Sequence, residues 1–360
     1  MLFNVKGKDL LAIDQVNDFS DEHNPEQARS ETFAKYEQLG LSAEPFKNVH
    51  YYYPYSLPKT RHWNTYMTPE EVADNIKKKK AKKYKYIYKY DKDNLDLMFA
   101  NIDDSTQTME SIISYIMSGQ GKFNQISDWQ EFLEAVKEKC SAETSGKDKE
   151  IPVASWRKFY RIINKSITDN KIFARDIRED DGETRIGDAL KYIKKNEVHV
   201  IDIAKLSEDK QAYVFGDAIR TIYDLQLGQY AGEEGVNPPS RVVIFIDELN
   251  KYASKETPKN SPILRQVLDV AERGRSLGVI LFAAEQFRSA IHDRVTGNCS
   301  THAYGRTNSI EVTKGDYKSI PSVYKTMMTR LKQGEYIIQN PVFRSLLNIK
   351  FPKPIYKQFK

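Results

Sequence analysis

The 360 residues carry 55 Lys+Arg against 50 Asp+Glu, a net charge of +5, with 40% hydrophobic and 29% charged side chains, a balance that buries a core and excludes wholesale disorder. No apolar run nears the roughly 18 residues of a bilayer span, and the start lacks a signal-peptide pattern. Two cysteines, Cys140 and Cys299, exclude a disulfide framework or a four-ligand zinc site, so the expectation is a cytoplasmic chain of one large domain or one domain with an insertion.

In chain order, Leu2-Phe3-Asn4-Val5 reads as a strand and His50-Tyr51-Tyr52-Tyr53 as a second. Residues 77–92 hold nine lysines against one acid, Asp91. Within them KYKYIYKY alternates with period two, so an extended strand puts Tyr84, Tyr86, Tyr88 and Tyr90 on one face and Lys85, Ile87 and Lys89 on the other. Two readings follow. Lys77, Lys78, Lys79, Lys80, Lys82 and Lys83 beside aromatic faces suit a nucleic-acid backbone and its bases. Alternatively, the tyrosines pack inward behind a solvated lysine-rich turn.

Helical periodicity runs from Asp104 to Met117, from Trp129 to Lys139, from Pro152 to Ile167 and from Ile172 to Arg178, with an exposed loop over 141–150. Val198 to Ile203 returns to strand, 208–227 to helix, and the glycines and prolines of 226–240 mark a surface loop. Val242-Val243-Ile244-Phe245-Ile246 is a continuous apolar run of the kind buried on both faces of a parallel sheet. Ser261-Pro262 opens a helix that Gly274 is expected to stop, and Val279 to Ala284 forms another buried strand. Segments at Tyr304, Tyr336–Ile338 and Leu346–Ile349 are candidates to complete the sheet. This alternation predicts an α/β fold around a largely parallel sheet.

Ligands of such sheets bind beyond the carboxyl ends of the strands. The first apolar run ends in Asp247-Glu248 and the next strand in Gln286. That is the layout of a nucleoside-triphosphate hydrolase. Asp247 at a strand tip holds Mg²⁺, Glu248 orients and deprotonates water, and the amide of Gln286 senses the γ-phosphate. A phosphate cradle of the form G-x-x-x-x-G-K-[ST] is missing: Gly121-Lys122 is followed by Phe123, and Gly146-Lys147 by Asp148. The six histidines lack metal-ligand spacing, and His292, Cys299 and His302 form no nucleophile arrangement.

NVKGKDLL (4–11), VVIFIDELNKYA (242–253), AERGRSLGVILFAAEQ (271–286) and LKQGEYII (331–338) resemble HerA-type ATPases of the HerA–FtsK group, over most of the chain. The resemblance implies a RecA-like P-loop NTPase core, a mostly parallel sheet flanked by helices, with a helical, lysine-rich insertion. It implies core residues at 1–60 and 196–360 around an insertion at 61–195. In that family the NVKGKDLL-like strand follows the P-loop, so this chain is expected to start just after it. The resemblance also implies ATP and Mg²⁺ as cofactors, Asp247 as metal ligand, Glu248 as base and Gln286 as sensor. Arginines at subunit boundaries are implied too, with Arg275 first, then Arg306, and Arg273 beside them. Partners implied are DNA without sequence preference, further copies in a hexameric ring, and a nuclease or defence effector. Without the cradle, a catalytically silent or non-hydrolysing ring subunit is the competing class. A conjugation-type DNA pump is a third, disfavoured by the lack of a membrane segment.

Overall fold

A computed structural model describes residues 1–58, 60, 63–141 and 151–359. Its centre is a seven-stranded sheet built from β1 (Leu2–Asn4), β2 (Val49–Pro54), β3 (Ala81–Tyr84), β6 (Glu183–Thr184), β7 (Val198–Asp202), β8 (Val242–Ile246) and β9 (Val279–Ala283). The strand order is β6-β3-β2-β7-β1-β8-β9, and its pairings are parallel. This is the mostly parallel, helix-flanked sheet expected of a RecA-like α/β core. A pair of two-residue strands, β4 (Tyr86–Ile87) and β5 (Phe173–Ala174), lies outside it.

Direction of travel sorts four of the connections by face: β7 to β8, β8 to β9, β1 to β2 and β2 to β3. Connections running toward the β9 edge use α6 (Glu208–Leu227), from β7 to β8, and α7 (Pro262–Leu277), from β8 to β9. Both pack on the first face, where Phe3 meets Phe215 at 4.9 Å and Ile244, Ile246 and Val279 are buried. Connections running the other way include α1 (Pro25–Gln38), from β1 to β2, and α2 (Pro69–Lys77), from β2 to β3. Their residues Leu11, Ile13 and Val72 cover Tyr51, Ala81 and Val200 on the second face. That split is what right-handed crossovers require.

Three helices, α3 (Thr108–Met117), α4 (Trp129–Lys139) and α5 (Val153–Thr168), close over Tyr86 and Tyr88, extending the first-face core. Trp129 donates its indole N–H to the Tyr86 carbonyl at 2.9 Å, which satisfies that buried ring.

Several expectations change. Residues 84–90 are not one strand: β3 ends at Tyr84, and a helical turn takes Tyr88–Asp91. Tyr84, Tyr86 and Tyr88 are buried as the inward-packing reading requires, whereas Tyr90 is exposed. Lys85 is buried, donating to Glu183 at 2.5 Å with its ammonium 4.0 Å from the Tyr55 ring. Ile172–Arg178 is no helix, because Phe173 pairs with Tyr86 as strand. Gly274 does not stop α7. The helix runs to Leu277 and is capped by Gly278 at φ +75°, while Gly274 is small because a Cβ there would sit 2.7 Å from the Val279 carbonyl oxygen.

The C-terminal segments do not complete the sheet either. β10 (His302–Tyr304), β11 (Glu335–Gln339) and β12 (Leu347–Lys350) form a separate antiparallel sheet with its own core around Tyr317, Met328 and Ile337. The loop expected at 141–150 lies outside the described residues beyond Ser141, as does Gly146-Lys147. Among the described residues, no helix is long and apolar enough to cross a membrane.

Candidate functional site

The ends of β8 and β9 are joined by backbone and side chain together. The Ala284 N–H donates to the Ile246 carbonyl at 2.8 Å, and the Leu249 N–H to the Ala284 carbonyl at 3.3 Å. This brings Asp247, Glu248 and Gln286 to one end of the sheet, as the sequence implied. Asp247 accepts from the Glu248 N–H at 2.9 Å. Glu248 has φ +54°, a left-handed backbone that a non-glycine residue adopts at a cost of order 1 kcal/mol, and its carboxylate is held by Lys251 at 2.5 Å. Gln286 is exposed.

Sequence reasoning missed Glu285. One of its oxygens accepts from the Asn250 N–H at 2.8 Å, the other from the N–H groups of Gln286 at 2.7 Å and Phe287 at 3.3 Å. A single carboxylate therefore ties the loop after Asp247-Glu248 to the loop carrying Gln286. The signal was in the sequence, as the middle letter of AEQ, but its partner on the other strand was not.

β1 brings a third contribution. Asn4, fully buried at its tip, donates to the Gly7 carbonyl at 3.0 Å and accepts from the Leu10 N–H at 3.1 Å, which fixes the 5–10 loop. Asn4 also donates to Asp202 at 2.9 Å, and Asp202 accepts from the Thr65 hydroxyl at 2.6 Å. Burial pushes the Asp202 carboxyl up to about 6 against these hydrogen bonds. Asp9, in the same loop, is raised above the usual carboxylate range by partial desolvation, with Lys6 opposing and Asp247 adding to the rise. Asp9 thus lies within electrostatic reach of Asp247.

Asp247 and Asp9 carry hard oxygen donors, the ligand type that suits Mg²⁺. No group of three or more His, Cys, Asp or Glu side chains converges as a metal cage among the described residues. The triphosphate fits less well, since the sequence holds no phosphate-binding loop.

The arginines do not join this cluster. Arg273 and Arg275 are exposed in the last turns of α7, which leads into the amino end of β9. The five residues of that strand, at roughly 3.3 Å each, separate them from Gln286. Arg306 is exposed just beyond β10. Arg288, not singled out from the sequence, lies two residues past Gln286 and donates to the Tyr304 hydroxyl and to His302, both at 2.9 Å.

The lysines occupy the opposite end of the sheet. Lys77, Lys79, Lys80 and Lys82 line, with His50, Glu179 and Asp180, a cleft of about 370 Å³ at the amino ends of β2 and β3. Lys78 pairs with Asp74 at 2.5 Å and Lys80 with Asp14 at 2.6 Å, while Lys83 lies 5.7 Å from the Tyr55 ring.

No family model matches the chain, and no curated protein matches it. Among solved structures it is similar to the plasmid coupling protein TrwB in complex with ADP and Mg²⁺ at 10% identity and a TM-score of 0.46, over 77% of this chain and 74% of that one. It is also similar to the genome packaging NTPase B204 from Sulfolobus turreted icosahedral virus 2 in complex with ATP-gammaS, at 17% identity and a TM-score of 0.32, over 47% of this chain and 72% of that one.

Proposed function

We propose that this chain is the Walker B and sensor part of a HerA-like ATPase that, with a phosphate cradle in place, couples ATP hydrolysis to movement along DNA. The observation that carries the reading is the joined pair of strand tips, with Asp247-Glu248 on β8 and Gln286 on β9 held in register by Glu285. In this reading Asp247 holds Mg²⁺, with Asp9 within electrostatic reach. Glu248 leaves Lys251 to orient and deprotonate the attacking water, and Gln286 faces the γ-phosphate. The Mg²⁺ ion neutralises charge developing on the phosphate oxygens when bound. Arg275 or Arg306 serves a neighbouring copy's site in a hexameric ring, and the lysine cleft meets DNA phosphates. A nuclease or defence effector is the partner class.

A second reading has its own support: the missing cradle and the Glu248–Lys251 ion pair suit a non-hydrolysing assembly subunit. Titration calorimetry with Mg·ATP separates the parts. The 360-residue chain alone should bind ATP poorly and turn over negligibly, because nothing in it surrounds the β-phosphate. Binding at low micromolar affinity by this chain would overturn that division of labour.

A further inference from the structure

Two surfaces lie outside the strand-tip site and the lysine cleft. On the sheet, Val243 and Phe282 are 46% and 57% exposed, so the expectation that β8 and β9 are buried on both faces is half met. Those side chains carry no charge to select what meets them. The second surface does. It is a cleft of about 500 Å³ walled by the 3-10 helix Lys92–Phe99, α3, α6 and the first turns of α7.

Phe99, Met109, Ile113 and Tyr223 give the cleft an apolar wall. Its carboxylates arrive from three separate elements: Asp93 and Asp96 from the 3-10 helix, Glu110 from α3 and Asp269 from α7. Asp104 lines it too, but is occupied in capping α3, accepting from the N–H groups of Thr108 at 3.0 Å and Met109 at 2.7 Å. The cations are fewer. Arg220 is already committed, donating to Asp96 at 2.6 Å, to Asn94 at 2.8 Å and to the Asp93 carbonyl at 2.9 Å. Arg265 donates to the Asn260 carbonyl at 3.0 Å. Asp93, Glu110 and Asp269 have no ion pair among the described residues, which leaves three carboxylates against the guanidinium of Arg265. The second oxygen of Asp96 is buried with no donor, an acceptor that the described residues leave unsatisfied.

These features select a partner by chemistry. Unpaired carboxylates repel a nucleic-acid backbone and attract cations. Carboxylates on three elements meet cations at several points, which suits a chain carrying more than one. The apolar wall takes a hydrocarbon side chain or the stem of an arginine or lysine. A cleft of this size admits a few side chains rather than a folded surface. We propose that it docks a short basic segment of a partner protein, with an apolar side chain against Ile113 and Tyr223 and basic side chains on Asp93, Glu110 and Asp269. Arginine fits best, because its planar fork pairs with carboxylates two bonds at a time and stacks on a ring such as that of Tyr223. The cleft contains none of Asp247, Glu248 or Gln286, so the docking does not rest on the ATPase reading.

The test selects peptides from a random phage-displayed library on the 360-residue chain and measures synthetic copies of the enriched sequences by fluorescence anisotropy. The comparison protein carries Asp93→Asn, Glu110→Gln and Asp269→Asn together. These changes keep side-chain shape and break no ion pair, so circular dichroism and thermal unfolding should match the parent. Enriched peptides should combine arginine or lysine with an apolar residue. They should bind the triple variant at least about tenfold more weakly, the loss that three exposed charge pairs together can produce. Glu110→Lys alone, a charge reversal at an exposed position, should weaken the same peptides. Affinity for the parent should fall as salt rises, and more steeply than for the triple variant. An absence of enriched peptides, enriched peptides without basic residues, or equal affinity for parent and variants overturns the proposal. So does self-association of the parent in sedimentation velocity that the triple variant abolishes, because a second copy would then be the occupant.

Discussion

Asp202 offers a direct measure of how dry the carboxyl end of the sheet is. Its carboxyl is fully buried, accepts from Thr65, Asn4 and the Ala204 N–H, and has no cation among those partners. The rise from 3.8 to about 6 spans about two pH units, each worth ~1.4 kcal/mol, or about 3 kcal/mol in all. The sign follows from which state holds the proton. Below the unfolded value both states are protonated. Between there and about 6 only the folded state is, so stability falls as pH rises and levels off above about 6. Asp202→Asn keeps the shape and an acceptor for Asn4 and Ala204, and the Thr65 hydroxyl can turn to accept from the new amide. The variant does not ionise. Urea unfolding of both proteins from pH 4 to 7.5 should therefore show the variant gaining on the parent by about 3 kcal/mol across that range, whatever the offset at pH 4. Because other titrations cancel in the difference, parallel stability curves would refute the reasoning and mean that water reaches this carboxylate.

Three further outcomes follow from the site. In the ATPase with its cradle, Glu248→Gln should preserve nucleotide binding and lower turnover at least ~10²-fold, measured by phosphate release, because a general base contributes that much or more. Replacing Lys77, Lys78, Lys79 and Lys80 with Gln should weaken duplex DNA binding alike for unrelated sequences and flatten the plot of log affinity against log salt, each lost phosphate contact removing ~0.9 from the slope. Equal slopes would leave the cleft as a solvated rim. Mixing Arg275→Ala subunits with Asp247→Asn subunits should restore part of the ATPase rate if Arg275 serves the neighbouring site; its remoteness from Gln286 within one chain makes failure of that repair a strong result against it.

The parts legible in the sequence were those fixed by local pattern. The apolar runs 242–246 and 279–283 announce strands, and polar residues at their ends announce a site. Ser261-Pro262 marks the start of α7 because both residues act locally. Its end was misjudged because RGRSLG holds two glycines and pattern alone does not say which takes φ +75°. Tyrosine alternation over 84–90 was correct about the burial of Tyr84, Tyr86 and Tyr88 and wrong about Tyr90, about Lys85 and about extension, since a buried Lys85–Glu183 pair and the Tyr86–Phe173 pairing divide it. Asp9 and Glu285 stayed hidden for another reason. Their roles depend on β1 lying beside β8 and on β9 lying beyond it, which no window of sequence contains. Nor does a run of five apolar residues say whether both its faces are covered.

Glu285 has a mechanical consequence. Its two oxygens grip two loops by three N–H groups, so Gln286 cannot shift without pulling on Asn250. Asn250 begins a short helix, Asn250–Ala253, whose Tyr252 ring stacks on Phe215 of α6 at 3.8 Å between centroids. On the other side, Arg288 fastens the same loop to Tyr304 in the small antiparallel sheet. A displacement of one side-chain amide thus has a rigid linkage in two directions, inward to the longest helix and outward to a separately cored lobe. Shortening the linkage by Glu285→Asp would leave its charge in place and slacken the lever.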